Sequence, residues 1–329
     1  RPPLNDGCYP VSSDRHFPTR SLRRALWLVM ILPSLWTLGR WSEPRFGVDA
    51  VSAVTPGHVS VVGARVLPAV LDATAADSLV RRTFYFSGGV HKAFESDARW
   101  ILIRPSSEVG PAARGRYLQI LESALLAIHR AADEADLALL VGGLDGGDAA
   151  WHEEIAARLQ SPRLATLGIE ILLVAEEETE AIDVPDSGLA AQLYDLPISL
   201  LECDAVINIA HVTQALGSMS NLTGLARPTT ATTSDDRVLV DLALLTEASY
   251  TLAQIVRPDG TQMLLASRDG VAVDRIAAEL SGSDTDSTAL AALHLAHGRY
   301  LGQVDLNDIK VSGAVVPGTW VEPETTEAE

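Results

Sequence analysis

The sequence predicts an α/β fold: a mostly parallel sheet with helices on both faces, plus an N-terminal hydrophobic helix. Three observations carry this expectation. Strand-like and helix-like segments alternate from residue 58 to residue 316, the order that builds parallel sheets. The strand segments are apolar almost without interruption, as in RWILIRP (99–105), ADLALLVGG (135–143) and DAVINIA (204–210). Strands covered on both faces need no polar alternation. Finally, 47% of the 329 residues are hydrophobic, enough for a sizeable core.

In order, HVSVVGA (58–64) reads as a strand and TAADSLVRRTFYF (74–86) as a helix that ends at Gly88-Gly89. The strand at 99–105 is stopped by Pro105, which has no N–H for a ladder. Helical spacing covers 116–135, a strand runs into glycines at 135–143, and 148–160 is a helix with an acidic first turn. Strands follow at 168–175 and 204–210, a helix at 237–248, and strands at 251–258 and 262–267. Helices at 269–282 and 287–298 precede a last strand at 308–316. The chain thus divides into an extension (1–20), an anchor or export signal (21–47), the α/β domain (48–321) and an acidic tail (322–329).

Charge separates the N-terminus from the body. Residues 1–47 hold seven arginines against three carboxylates, a net of +4 in a chain of net −18, so the body carries −22. An acidic body repels nucleic acid and anionic lipid heads, which argues against nucleic acid as a partner. Within the basic part, Arg23 and Arg24 precede an uncharged run of 15 residues, Ala25 to Gly39. A spanning helix needs about 20 apolar residues and a signal h-region roughly 7–15. Trp27, Trp36 and Trp41 suit a membrane interface. An export signal or signal-anchor, an interfacial helix and an ordinary buried helix all remain open, the first being the leading expectation. The Arg-rich end would then stay in the cytoplasm, with the acidic body on the extracytoplasmic side and residues 21–41 holding the chain at the membrane.

Cys8 and Cys203 are the two cysteines. Two exclude a disulfide framework, a four-cysteine zinc site and a cysteine-ligated iron–sulfur cluster. No cofactor is expected. Cys203, in an apolar run, reads as a buried free thiol.

Ligands of open parallel sheets bind outside the strand carboxyl ends. Arg104 and Ser106 follow one strand there, Asp145 and Asp148 another, and His211 and Thr213 a third, behind Asn208. VGGLDGGD (141–148) lacks the Gly-Lys-Ser/Thr of a phosphate loop. It reads either as a tight turn with Asp148 capping the next helix, or as a place where Asp145 and Asp148 contact a metal. In DGVAVD (269–274), Asp269 suits a helix cap and Asp274 can face either way. His294 and His297 have helical spacing without a third metal ligand nearby. GSMSN (217–221) is not a nucleophile elbow.

Three stretches together carry a resemblance. SLVRRTFYFSGGVHKAFESDARWILIRPS (78–106), CDAVINIAHVTQ with SNLTGL (203–225) and LLASRDGVAVDRIAAELSG (264–282) resemble, in order, the opening, centre and most specific element of the family catalogued as domain of unknown function 362. The resemblance spans about residues 55–315. It implies a site built from Arg104, Ser106, Asn208, Thr213, Ser220, Asn221 and Asp274. Many relatives in that family carry twin-arginine export signals, and others carry ferredoxin-type cysteines that are absent here. The family's lysines are replaced by Arg104, His211, Thr213 and Ser220, so an anion held by those lysines would not be held in the same way. The leading expectation is a non-catalytic accessory subunit of a membrane complex, partnered by other protein subunits. The alternative is an exported enzyme or small-molecule/metal-binding domain, with His211 as acid–base group, because its ordinary pKa lies near neutrality.

Overall fold

The computed structural model describes residues 59–185, 187–212, 216–229, 235–257, 259–281 and 288–313. The anchor residues Arg23, Arg24, Trp27, Trp36 and Trp41, the expected N-terminal helix, Thr213 and the acidic tail lie outside the described residues.

The chain runs β1 (Ser60–Val66), α1 (Ala73–Phe86), β2 (Trp100–Pro105), α2 (Pro111–Ala131), β3 (Asp136–Val141), α3 (Ala149–Leu159), β4 (Glu170–Leu173), β5 (Thr179–Asp183), β6 (Leu193–Pro197), α4 (Ile198–Glu202), β7 (Ala205–Val212), α5 (Gly217–Ser220), β8 (Arg227–Pro228), α6 (Asp235–Thr246), β9 (Tyr250–Val256), β10 (Gln262–Ser267), α7 (Gly270–Ser281), α8 (Thr288–Gly298) and β11 (Ile309–Gly313). Eight strands form one sheet in the order β11-β1-β10-β9-β7-β2-β3-β4. All its pairings are parallel except the two that flank β10, which returns from β9 as an antiparallel hairpin. The fold is therefore α/β with a mostly parallel sheet.

The apolar strands are explained by two-sided burial. Ile101, Ile103, Leu139, Ile207, Ile209 and Leu252 pack with α1, α2 and α3 on one face. Their neighbours along the same strands point the other way. Ala210, Val212, Ala253 and Ile255 meet Ala272, Val273 and Ile276 of α7, while Leu102, Ala138 and Val206 meet Leu222 and Leu225 after α5. On β1, Val62 and Ala64 serve the α7 face, and Gly63 faces α1. A Cβ on Gly63 would stand 2.3 Å from the Thr83 carbonyl oxygen and 2.8 Å from the Ser87 nitrogen. The glycine lets helix backbone lie directly on strand backbone.

Several elements depart from the sequence expectation. α2 begins at Pro111, ahead of the expected 116, because proline at the first helical position costs no intrahelical hydrogen bond. A second sheet, β5-β6-β8, has no counterpart in the sequence reading. Both TEAID and LYDLP are only five residues long, the first mostly polar and the second ending in proline, so the strand signal in each is weak. Asp241 of α6 ties this sheet down: its carboxylate is 1% exposed and accepts from the Leu189 and Ala190 amides at 2.7 and 2.8 Å and from the Tyr194 hydroxyl at 3.0 Å.

The chain leaves β2 in one direction through α2, β3, α3 and β4, and leaves β7 in the other through α5, α6 and β9. The direction reverses between β2 and β7, so a crevice is expected at their carboxyl ends.

Gly63→Ala should destabilise the protein by about 1–3 kcal/mol, the usual cost of forcing an extra carbon into a packed contact. Urea unfolding measures it; unchanged stability would show that α1 is free to move off β1.

Candidate functional site

The β2–β7 crevice is filled by its own chain. Arg104, at the end of β2, is 1% exposed, and among the described residues it has no carboxylate partner and its Nη2 has no hydrogen-bond partner. Its Nε donates to the Asn221 carbonyl at 3.0 Å, and its Nη1 donates to the carbonyls of Leu140 and Gly142 at 3.0 and 2.5 Å. Burial pushes the guanidinium pKa down to about 10, which still leaves it charged at neutral pH. Arg104 thus spends three hydrogen bonds on main chain. Asn221 Nδ2 donates to Asn208 Oδ1 at 2.7 Å and Asn208 Nδ2 to the Ser218 carbonyl at 2.8 Å. The Ser107 amide donates to Asn221 Oδ1 at 2.9 Å.

The Ser106 peptide is clamped from the opposite face. Its N–H donates to the Tyr117 hydroxyl at 2.6 Å, and its carbonyl accepts from Trp151 Nε1 at 2.9 Å. The Tyr117 hydroxyl donates onward to the Ile209 carbonyl at 2.7 Å, and burial raises its pKa so that it stays protonated. Ser106 Oγ accepts from the His211 amide at 3.4 Å. Ser220 stands apart on the surface, where its hydroxyl donates to the Gly217 carbonyl at 3.2 Å.

Asp274 is fully buried and closes the same network. Its two oxygens accept from the amides of Ser218 and Met219, both at 2.9 Å, and so cap α5 from a neighbouring helix. Gly217 is needed at the start of α5, where a Cβ would meet the Val212 side chain at 2.5 Å. Asp269 accepts from the Ala272 amide at 2.8 Å and caps α7. Arg104, Asn221, Asn208, Ser218 and Asp274 therefore form one chain of contacts that joins residues 78–106, 203–225 and 264–282.

The carboxylates of the β3–α3 loop are engaged on the surface. Asp148 Oδ1 accepts from the Ala150 and Trp151 amides at 3.0 and 3.2 Å, which with its pairing to Arg114 holds its pKa below the usual carboxylate value. Asp145 pairs with Arg227. Among the described residues no group of three His, Cys, Asp or Glu side chains is placed to hold a metal ion. His297 Nδ1 bonds the Gly302 carbonyl at 2.8 Å, and His294 is exposed. The half-buried Cys203 thiol is pushed up to about 12, first by burial and then by Asp204, which leaves it unreactive at neutral pH.

Open space lies at the carboxyl ends of β7 and β9, beside the filled crevice. A cavity of about 600 Å³ is lined by Gly110, Pro111, Ala112 and Ala113 at the start of α2, by His211, by Val256, Arg257 and Gln262 at the β9–β10 turn, and by Ser281 at the end of α7. His211 stands edge-on to Tyr117, with ring centres 6.2 Å apart. Its Nε2 is buried without a partner, and burial lowers its pKa, so the ring is neutral at physiological pH. Gln254, opposite His211 in the β7–β9 register, is 1% exposed. Its Nε2 donates to Gln262 Oε1 at 2.9 Å, and its Oε1 has no partner. Sequence reasoning found His211 and missed Gln254, Arg257 and Gln262. The available signal was Gln254 itself, one amide inside TLAQIV, a strand buried almost throughout.

No family model matches the chain, and no curated protein matches it.

Burial pushes the Asp274 carboxyl up to about 6 from an ordinary 3.8, against the pull of the two amides. The native state then holds this proton more tightly than the unfolded chain, so the contribution of this group to stability falls as pH rises from about 4 to 6. Asp274→Asn keeps one acceptor oxygen for two buried amides and should cost about 1–3 kcal/mol. In urea unfolding, the wild-type-minus-variant gap should be larger at pH 4 than at pH 7. An equal gap at both would contradict the raised pKa.

Proposed function

We propose that the protein is a small-molecule-binding α/β domain whose ligand occupies the cavity beside His211. The supporting observation is that His211, whose Nε2 is buried without a partner among the described residues, lines a cavity at the carboxyl ends of parallel strands. An unpaired buried polar atom costs about 1–3 kcal/mol, so a ligand that pairs His211 Nε2 gains affinity from the fold. Among the described residues no carboxylate stands behind His211 to orient the ring or hold a proton, which favours binding over catalysis.

Kinship to the domain of unknown function 362 family belongs to the same proposal. Its support is that the three resembling stretches meet in the Arg104–Asn221–Asn208–Ser218–Asp274 network.

The test is native mass spectrometry of the full chain, extracted from its own host in mild detergent. A bound small molecule is expected on the 35.0 kDa chain. It should be absent from Ala112→Trp, which fills the cavity from an exposed helix position. A ligand retained in that variant would place the site elsewhere, and a chain without ligand would overturn the reading.

A second reading, a membrane-held accessory subunit, has its own support. The crevice where parallel sheets hold substrates is occupied by internal hydrogen bonds, and residues 21–41 have the composition of an interfacial or signal-anchor helix. Removing residues 1–47 should move the protein from the membrane fraction to the soluble fraction. Persistence in the pellet would show that the anchor lies elsewhere.

A further inference from the structure

We propose that residues 66–71, VLPAVL, and the adjoining start of α2 form an apolar surface that seats on a zwitterionic lipid bilayer. The proposal rests on the membrane-held reading above and adds which surface of the α/β domain meets the lipid.

The six residues carry no charge and divide between core and solvent. Leu67 and Leu71 are buried in the core beneath α1 and α2. Val66, Pro68, Ala69 and Val70 are exposed. Val70 is 83% exposed, the largest fraction of any large hydrophobic side chain among the described residues.

The loop is fixed in this arrangement. The Leu67 amide donates to the Gln262 carbonyl at 2.8 Å, and Arg116 Nη2 donates to the Ala69 carbonyl at 2.6 Å. Asp72 ends the loop by capping α1, where it accepts from the Ala75 amide at 2.8 Å. Two leucines in the core and a backbone tied to β10 and α2 hold Val70 outward. A fixed, exposed apolar patch marks a contact surface.

The patch continues beyond the loop. β1 and β9 both run antiparallel to β10, so the loop after β1 lies at the same sheet edge as the end of β9. Gly110, Pro111 and Ala112 at the start of α2 are exposed and uncharged. These residues and Gln262 also line the cavity, so the apolar rim and the cavity share walls.

The chemistry of the patch suits lipid better than a protein partner. The centres of protein–protein contacts are enriched in Trp, Tyr, Phe and Arg. None of residues 66–71 and 110–113 is aromatic or charged. Hydrocarbon burial is non-directional, so a bilayer needs no matching shape to take up aliphatic side chains. A bilayer is also the apolar phase to which the composition of residues 21–41 points. The acidic body repels anionic headgroups, which selects zwitterionic lipid.

The test reconstitutes the full chain in phosphatidylcholine vesicles with plain or brominated acyl chains, as wild type, Val70→Trp and Tyr85→Trp. Tyr85 is 77% exposed near the far end of α1 and serves as the control position. Emission in excess of wild type reports the new indole. In Val70→Trp that excess should shift to the blue and be lost to the brominated lipid; in Tyr85→Trp it should do neither. A blue-shifted excess that bromine does not quench would show protein packed on the loop, and would overturn the lipid assignment in favour of a second copy or another chain. An unshifted, unquenched excess would place Val70 in water, and equal quenching of both variants would remove the distinction between the two surfaces; either overturns the proposal. Wild-type emission, which includes Trp27, Trp36 and Trp41, reports the membrane-held reading separately. Its loss to brominated lipid beside an unquenched Val70→Trp excess would leave that reading standing without this surface.

Discussion

A charged guanidinium held away from water without a counter-charge is the constraint around which this domain is arranged. Arg104 is 1% exposed, and its known partners are three main-chain carbonyls. Burying an ion is expensive unless dipoles replace its hydration. Here the dipoles come from three places: the end of β3, the glycine loop after it, and the residue that follows α5. Each must be in position for the cation to be tolerated. Arg104 therefore fixes the β3–α3 loop and α5 against β2, and the Asn208–Asn221 pair continues the same fixing to β7.

The two faces of the sheet divide the work. On the α7 face, the polar groups of the crevice bond one another and main chain, down to the Asp274 carboxylate that caps α5, while Arg104 Nη2 is buried without a partner among the described residues. Such a network specifies one arrangement of the strand ends. On the α1–α3 face, Tyr117 and Trp151 clamp the Ser106 peptide, and the chain beyond it turns into the uncapped start of α2. Polar atoms without partners are found on this face, next to open space. The position rule for parallel sheets points to the edge of the sheet at which the cavity lies, and packing decides where along that edge space is left.

The local signals in the sequence were strong where burial is two-sided. Continuous apolar strands, alternating helices and glycine or proline stops are all readable along the chain, and so are Asp148 and Asp269 as helix caps. The small sheet was not readable, because TEAID and LYDLP carry too little apolar pattern and are held by the buried Asp241 from a distant helix. The antiparallel direction of β10 was equally silent, since an apolar strand has the same composition in either direction.

The sequence by itself determined the class of fold and the edge of the sheet at which polar side chains gather. Both follow from periodicity and from the residues that end strands, which are local properties. Only the tertiary structure decided that Arg104, Asn208 and Asn221 spend their hydrogen bonds on each other and on main chain, and that His211 joins Arg257 and Gln262 at a cavity, with Gln254 bonded to Gln262. Those outcomes depend on which strands become neighbours and in what register. His211 and Gln254 lie opposite each other across a strand pair, although 42 positions separate them in the chain. No local pattern encodes a pairing over that distance; the packing of α2, β7, β9 and β10 creates it.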